Sequence, residues 1–225
     1  MTKTTLITGA NRGIGLEMAR RAAARGDRVL ASVRDPERAS ELAALPGVTV
    51  LGFDVTDPDV LAEAAAQTGP LDLLICNAGQ LRARGGIDDP EHTPEIWDSV
   101  LMTNVAGVFF TVRAFLPCLA QAPAPKIAVI SSIMASSERA PGGSYLYRAS
   151  KAAATNLARN LAVDLKDKGI AVGAYHPGWV RTDMGGSSAD IDAGESAQGL
   201  LARFDALSLE TTGVFEDYRG DPMAF

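Results

Sequence analysis

The chain predicts an α/β fold, a doubly wound parallel sheet of about seven strands with helices on both faces, on three observations. Short continuous apolar runs recur along it instead of alternating apolar and polar residues, as expected for strands covered on both faces. Alanine-rich amphipathic stretches separate these runs, so the order is strand, helix, strand throughout. A glycine-rich turn, Gly9-Ala10-Asn11-Arg12-Gly13-Ile14-Gly15, follows directly on the first run. Right-handed crossovers in such a sheet place ligands outside the carboxyl ends of the strands.

The first strand is expected at residues 4–8, and the glycine turn leads into a helix at 14–25. A strand at 28–33 precedes a helix at 36–45, which Pro36 opens and Asp35 is placed to cap. Strand 48–53 and helix 57–67 follow, then strand 71–76 and a long apolar helix at 94–120. The second half gives strand 126–131, helix 144–168, strand 170–176, helix 193–207 and a weaker strand at 213–215. Residues 134–143 and 185–192 are irregular, and Gly185-Gly186-Ser187-Ser188 reads as mobile. No repeat, low-complexity tract or linker divides the chain, so residues 1–225 are expected to form one domain.

At 47% hydrophobic and 21% charged residues, a chain of this length builds a sizeable core without staples. Cys76 and Cys118 sit in apolar surroundings and are expected as buried free thiols, which suits a reducing cytosol. The first residues run into a strand with no signal-peptide pattern, and no apolar run matches the length of a bilayer span. A cytoplasmic location without membrane association is the expectation. A net charge of −6 leaves no basic surface for nucleic acid. Cysteine and histidine never cluster at metal-ligand spacing, and His92 and His176 read as structural.

The residues after each strand carry the chemistry. A glycine turn at a helix N-terminus lets backbone N–H groups and the helix dipole meet a pyrophosphate, which predicts a dinucleotide in contact with Gly9, Asn11, Arg12, Gly13, Ile14 and Gly15. The second strand ends Val33-Arg34-Asp35, with an apolar residue where an acid would grip both ribose hydroxyls of NAD. Arg34 and Arg12 together suit a 2′-phosphate, so NADP(H) is favoured over NAD(H). Asp54 and Val55 end the third strand, where an acid and an apolar side chain suit the amine and the face of adenine. Asn77-Ala78-Gly79 ends the fourth, and its small residues let a cofactor lie against the backbone. Asn104 falls inside an otherwise apolar helix, as a residue that stabilises a kink or as part of a polar relay. The fifth strand ends Ser131-Ser132, and on chemistry alone either hydroxyl serves beside Tyr147 as a donor to a carbonyl oxygen. Tyr147 and Lys151 lie four apart on one helix face, where a cation stabilises a phenolate. Tyr145, a rival phenol, has Ala149 at the matching position and so no cation. Pro177-Gly178 begins a rigid turn after the sixth strand, suited to cover a planar ring.

Taken in order, these motifs resemble the short-chain dehydrogenase/reductase family over essentially the whole chain. The stretches 145–154 and 176–186 are similar to its C-factor/sniffer-like branch, which contains small NADPH-dependent carbonyl reductases. The resemblance implies a Rossmann-like fold and a catalytic tetrad of Asn104, Ser132, Tyr147 and Lys151. Ser132 would polarise the substrate carbonyl, Tyr147 would give or take the proton, and Lys151 would lower the phenol's pKa and hold the nicotinamide ribose. Asn104 would position a water that links Lys151 to solvent. Asp54 and Val55 would contact adenine, Asn77 the adenosine side, and Val180 and Thr182 the carboxamide. The spacing from Ser132 to Tyr147 is two residues longer than is common in the family, so the intervening loop must bulge. Trp179 and Met184 are available to line a small, fairly open apolar pocket. The expected partner is a small carbonyl or alcohol substrate, and the family's habit of pairing its long helices implies a homodimer or homotetramer. The competing readings are a cofactor-binding regulatory protein with little turnover, against which the intact tetrad argues, and an NAD-linked dehydrogenase of the same chemistry.

Overall fold

The continuous apolar runs become strands because each is covered on both sides. The structure, a computed structural model, describes residues 2–225. Its strands are β1 (Thr4–Ile7), β2 (Arg28–Val33), β3 (Val48–Gly52), β4 (Leu73–Cys76), β5 (Lys126–Ile130), β6 (Ala171–His176) and β7 (Phe215–Asp217). They form one sheet in the order β3-β2-β1-β4-β5-β6-β7, every neighbouring pair parallel. Successive side chains on a strand point to opposite faces. Leu6, Leu74, Cys76, Ile127 and Val129 accordingly enter one core layer, and Ile7, Leu73, Ile75, Ala128 and Ile130 the other.

The helices are α1 (Gly13–Ala24), α2 (Ser40–Ala43), α3 (Pro58–Ala66), α4 (Pro94–Leu101), α5 (Gly107–Leu119), α6 (Tyr145–Lys166) and α7 (Ala193–Ala206). Helices α3, α5 and α6 cover the first face through Leu61, Val112, Phe115, Ala158 and Leu161. Helices α1, α2 and α7 cover the second through Met18, Ala22, Leu42, Leu200 and Phe204. Strand β1 pairs with β2 on one side and β4 on the other, so the strand order reverses there and opens a crevice at their carboxyl ends.

Four expectations from the sequence need correction. The helix at 36–45 is a 3₁₀ turn (Pro36–Arg38) followed by the short α2. Leu42 is the one residue α2 buries, too little apolar surface to hold a longer helix, and Asp35 makes no cap bond but faces Arg38 at 3.6 Å. The strand at 213–215 lies two residues later. Gly213 has φ of +89°, and the acids Glu216 and Asp217 are buried in the strand by Arg203 and Arg219. The long helix is continuous from Pro94 to Leu119 but passes through a π turn at Met102–Ala106. Those 26 residues are long and apolar enough to cross a membrane by length and composition, contrary to the reading above. Val108, Val112, Phe115 and Leu119 are instead buried against the sheet as a core layer.

Candidate active site

The crevice at the strand reversal is a cleft of about 420 Å³. Its floor begins with the glycine turn. Gly9 has φ of +65°, and a Cβ there would lie 2.9 Å from the Ala78 Cα. Gly13 has φ of +55°, and a Cβ on Gly15 would lie 2.5 Å from the Gly9 carbonyl oxygen. The turn therefore admits only glycine at these positions. Helix α1 starts without a side-chain cap and with no acid in its first turn. Its first internal bond runs from the Leu16 N–H to the Arg12 carbonyl, which leaves the Gly13, Ile14 and Gly15 N–H groups at the cleft. This is a cradle that a pyrophosphate fits.

Thr8 and Asn77 lock this turn to the end of β4. The Thr8 hydroxyl accepts from the Asn77 and Ala78 N–H groups at 3.0 Å each. The Asn77 side-chain amide donates to the Thr8 and Gly9 carbonyls at 2.9 and 3.0 Å. Asn77 borders the cleft, but its donors are spent on holding the turn. Gly79 has no Cβ where one would come within 3.4 Å of Asn104 Oδ1 and 3.5 Å of Lys151 Nζ, so the wall stays open above the lysine.

At the far end of the cleft, Val33, Arg34, Phe53, Asp54 and Val55 converge from β2 and β3. Arg34 is exposed. Arg12, also exposed, pairs with Asp183 at 2.7 Å across the cleft mouth. One oxygen of Asp54 is taken by the Thr56 N–H and hydroxyl at 2.9 and 2.8 Å, while Asp57 caps α3. Asn11 completes the rim of the glycine turn.

At the near end, Tyr147 and Lys151 project from α6, both buried. Lys151 Nζ donates to the Ile130 carbonyl at 2.7 Å and stands 5.7 Å from the Tyr147 ring centroid. Burial pushes the Tyr147 phenol up to about 12, against a smaller pull toward the phenolate from Ser132 and Arg84. Burial likewise lowers the Lys151 ammonium to about 8. The lowering of the phenol implied by the resemblance is thus reversed in direction, because desolvation dominates and Nζ is turned to Ile130.

The two adjacent serines differ: Ser131 is among the residues lining the cleft but its hydroxyl is engaged, whereas Ser132 is outside that lining and bonds toward Tyr147. Ser131 Oγ lies 2.5 Å from Thr155 Oγ1 and 3.4 Å from the Lys151 carbonyl, turned toward the base of α6. Ser132 Oγ accepts from the Met134 N–H at 3.1 Å and favours the Tyr147 phenolate. Tyr145 is exposed, its ring 6.1 Å from that of His92. Asn104, fully buried in the π turn, donates to the Gln80 carbonyl and Ser150 Oγ at 2.9 Å each. It also accepts from the Gln80 N–H at 2.7 Å. Ser150 in turn donates to the Tyr147 carbonyl at 2.8 Å. Asn104 therefore ties the loop after β4 to the helix that carries the phenol.

After β6, Pro177 and Thr182 border the cleft, whereas Gly178 packs on Ile191 and Tyr218 and Val180 is buried in a bridge to Ile191. Met184 lines the cleft, and Trp179 Nε1 donates to the Gly185 carbonyl at 2.9 Å. The stretch read as mobile is pinned at its start, where Thr182 accepts from the Gly185 and Gly186 N–H groups at 3.1 and 2.8 Å. Sequence reasoning missed Ser32, Gln80, Thr103, Arg181 and Asp183, which also border the cleft. Each adjoins a residue the sequence singled out: Ser32 beside Val33, Gln80 beside Gly79, Thr103 beside Asn104, and Arg181 and Asp183 beside Thr182.

Buried free thiols are found at Cys76 and Cys118. His92 bonds the Gly86 carbonyl and the Trp97 indole, a structural use. No metal-holding group of side chains occurs among the described residues.

Comparison with known proteins agrees with the fold. The sequence profile of the short chain dehydrogenase family matches residues 3–192. The C-signal protein of Myxococcus xanthus is 37% identical over 154 residues, 68% of this chain and 92% of that one. The NADPH-bound carbonyl reductase from chicken fatty liver superposes with a TM-score of 0.92 at 35% identity, covering 100% of this chain and 99% of that one. The carbonyl reductase Sniffer of D. melanogaster gives a TM-score of 0.92 at 30% identity, with 100% of both chains covered. By profile, relatives and fold alike, the chain belongs to the short-chain dehydrogenase/reductase family of oxidoreductases, on its C-factor/sniffer-like side.

Proposed function

We propose that the protein is an NADP(H)-dependent carbonyl reductase, which reduces an aldehyde or ketone to the alcohol and runs reversibly. The observation that carries this reading is one continuous cleft with a pyrophosphate cradle at its centre and the Tyr147–Lys151 pair at one end. The cofactor supplies the hydride, and the chain supplies position and charge. In this reading Gly9, Asn11, Gly13, Ile14 and Gly15 hold the pyrophosphate and Arg12 and Arg34 the 2′-phosphate. Asp54, Val55, Asn77 and Ala78 line the adenosine side. Gly79, Pro177 and Thr182 line the nicotinamide end, and Gly178 and Val180 hold the turn behind it. Ser132 and Tyr147 donate to the substrate carbonyl, and Tyr147 delivers the proton as the alkoxide forms. Lys151 stabilises the phenolate left behind, and Asn104 fixes the loop and helix from which both act. The preference for NADP(H) is supported by the two exposed arginines and by the NADPH named for the chicken enzyme. A single domain spanning residues 1–225 in the cytoplasm is part of the proposal, supported by one sheet that draws on residues 4 to 217. So is a homodimer or homotetramer, supported by the exposed Phe109 on α5 and Val163 on α6.

The test follows loss of nicotinamide absorbance with NADPH and a panel of activated aldehydes and ketones. Tyr147→Phe is expected to lose a factor of about 10²–10⁴ in kcat/KM, the usual worth of a positioned acid. Equal inactivity of wild type and Tyr147→Phe across the panel would overturn the enzyme reading. In the same assay, Arg34→Ala is expected to raise the Kd for NADPH far more than that for NADH, and equal losses would reject the phosphate role.

A further inference from the structure

Arg84 lies in the segment between β4 and α4, outside every motif that identifies the family. Three hydrogen bonds, to Glu91 and Ser144, hold the backbone at and beside it. The preceding N–H, that of Ala83, donates to Glu91 Oε2 at 2.8 Å. The Ser144 hydroxyl donates to the Arg84 carbonyl at 3.0 Å, and the Ser144 N–H donates to the Gly85 carbonyl at 3.0 Å. Ala83 and Ser144 have φ of +49° and +47°, the left-handed region that side chains disfavour. They are the two non-glycine residues in that region among those described, and both belong to this clasp. Strain retained beside a site, and offset by specific hydrogen bonds, is a mark of a positioned group.

The side chain then crosses to the other wall. Arg84 Nη2 donates to the Met184 carbonyl at 2.7 Å, and Met184 lines the cleft together with Tyr147 and Lys151. That bond uses one of five guanidinium donors. Asp88, Asp89 and Glu91 follow it in sequence and Asp183 adjoins Met184, and three of these four acids are engaged. Glu91 neutralises Arg82 at 3.0 Å, Asp89 accepts from the Gly85 and Glu91 N–H groups, and Asp183 pairs with Arg12. Arg84 itself forms no ion pair with a carboxylate among the described residues, in a chain whose net charge is −6. Its field reaches the phenol, where it favours the phenolate.

We propose that Arg84 is a specificity-determining residue, and that the substrates are carbonyl compounds carrying a carboxylate on the side of the molecule remote from the reacting carbon. This rests on the carbonyl reductase reading above. An exposed planar guanidinium with unspent donors, bonded to a residue that lines the cleft, matches a carboxylate bidentately in a way a lysine does not.

The experiment compares 4-carboxybenzaldehyde with its neutral methyl ester in the NADPH assay, on wild type, Arg84→Ala and Arg84→Lys. The ratio of kcat/KM for acid over ester is expected to fall about 10- to 100-fold in Arg84→Ala, as for a lost charged hydrogen bond, and to recover in part in Arg84→Lys. A ratio that stays within threefold in Arg84→Ala overturns the proposal, whatever happens to the absolute rates. Calorimetric titration of the NADP-loaded protein with 4-(hydroxymethyl)benzoate keeps the two readings distinguishable. If no substrate turns over, the enzyme reading fails, while a Kd for this alcohol raised at least tenfold by Arg84→Ala still supports the anion site. An unchanged Kd refutes it.

Discussion

Burial moves Lys151 and Tyr147 in opposite directions, and for the proposed reaction this predicts a pH profile. At neutral pH the phenol, raised to about 12, is fully protonated, the form a proton donor needs for reduction. Lys151, lowered to about 8 from an ordinary value of about 10.4, holds its charge at neutrality but loses it just above. The reductive kcat/KM is therefore expected to be level below neutrality and to fall as pH rises through about 8. Arg replaces Lys with a cation that does not deprotonate in this range. A Lys151→Arg profile that stays level above pH 8, at whatever height, assigns the fall to Lys151; an identical fall assigns it to another group. The i, i+4 spacing made this pair legible in the sequence. Neither shift was legible, since each depends on desolvation by residues from β5, α6 and the loops around them. Nor could spacing distinguish Ser131 from Ser132. The partner that occupies Ser131 is Thr155, 24 residues away.

Among the elements, the π turn at Met102–Ala106 does the most for the site. An extra residue in the turn is a recurrent device at functional positions, and here it places the Asn104 amide against Gln80 and Ser150. Asn104→Ala removes the partner of the half-buried Gln80 N–H and carbonyl and one of the two bonds of the buried Ser150 hydroxyl, which keeps its bond to the Tyr147 carbonyl. Each such loss costs about 1–3 kcal/mol, so a drop of about 2–4 kcal/mol in urea-unfolding stability is expected. A loss under 1 kcal/mol would show that the network contributes little. A polar residue inside an apolar helix was visible in the sequence, but its partners were not, because they come from a loop and from α6. The same limit explains the helix expected at 36–45. Propensity and Pro36 both favour a helix, yet only Leu42 in α2 is drawn into the core. Burial decides, and burial is tertiary. Strands were easier to read: a run such as Leu73–Cys76, buried at all four positions, is apolar without interruption.

Over the whole molecule, seven parallel strands share the carboxyl edge that the alternation of strands and helices predicts, and the cleft opens at the reversal between β1 and β4. That much follows from order alone. The reach of Arg84 to Met184, a hundred residues apart in the chain, does not. Helix α6 has a consequence at this scale. The helix that presents Tyr147 and Lys151 also lays Ala154, Ala158, Leu161 and Leu165 into the core against the sheet. Loosening the proton-transfer pair means lifting that helix, and lifting the helix means opening the interior. The backbone amides of Ser150 to Thr155 are accordingly expected to exchange with deuterium only through global unfolding. Activity and tertiary structure should then vanish at the same urea concentration. Inactivation that precedes unfolding, with exchange at these amides still slow, would place the vulnerable element elsewhere, in the loops that close the mouth of the cleft.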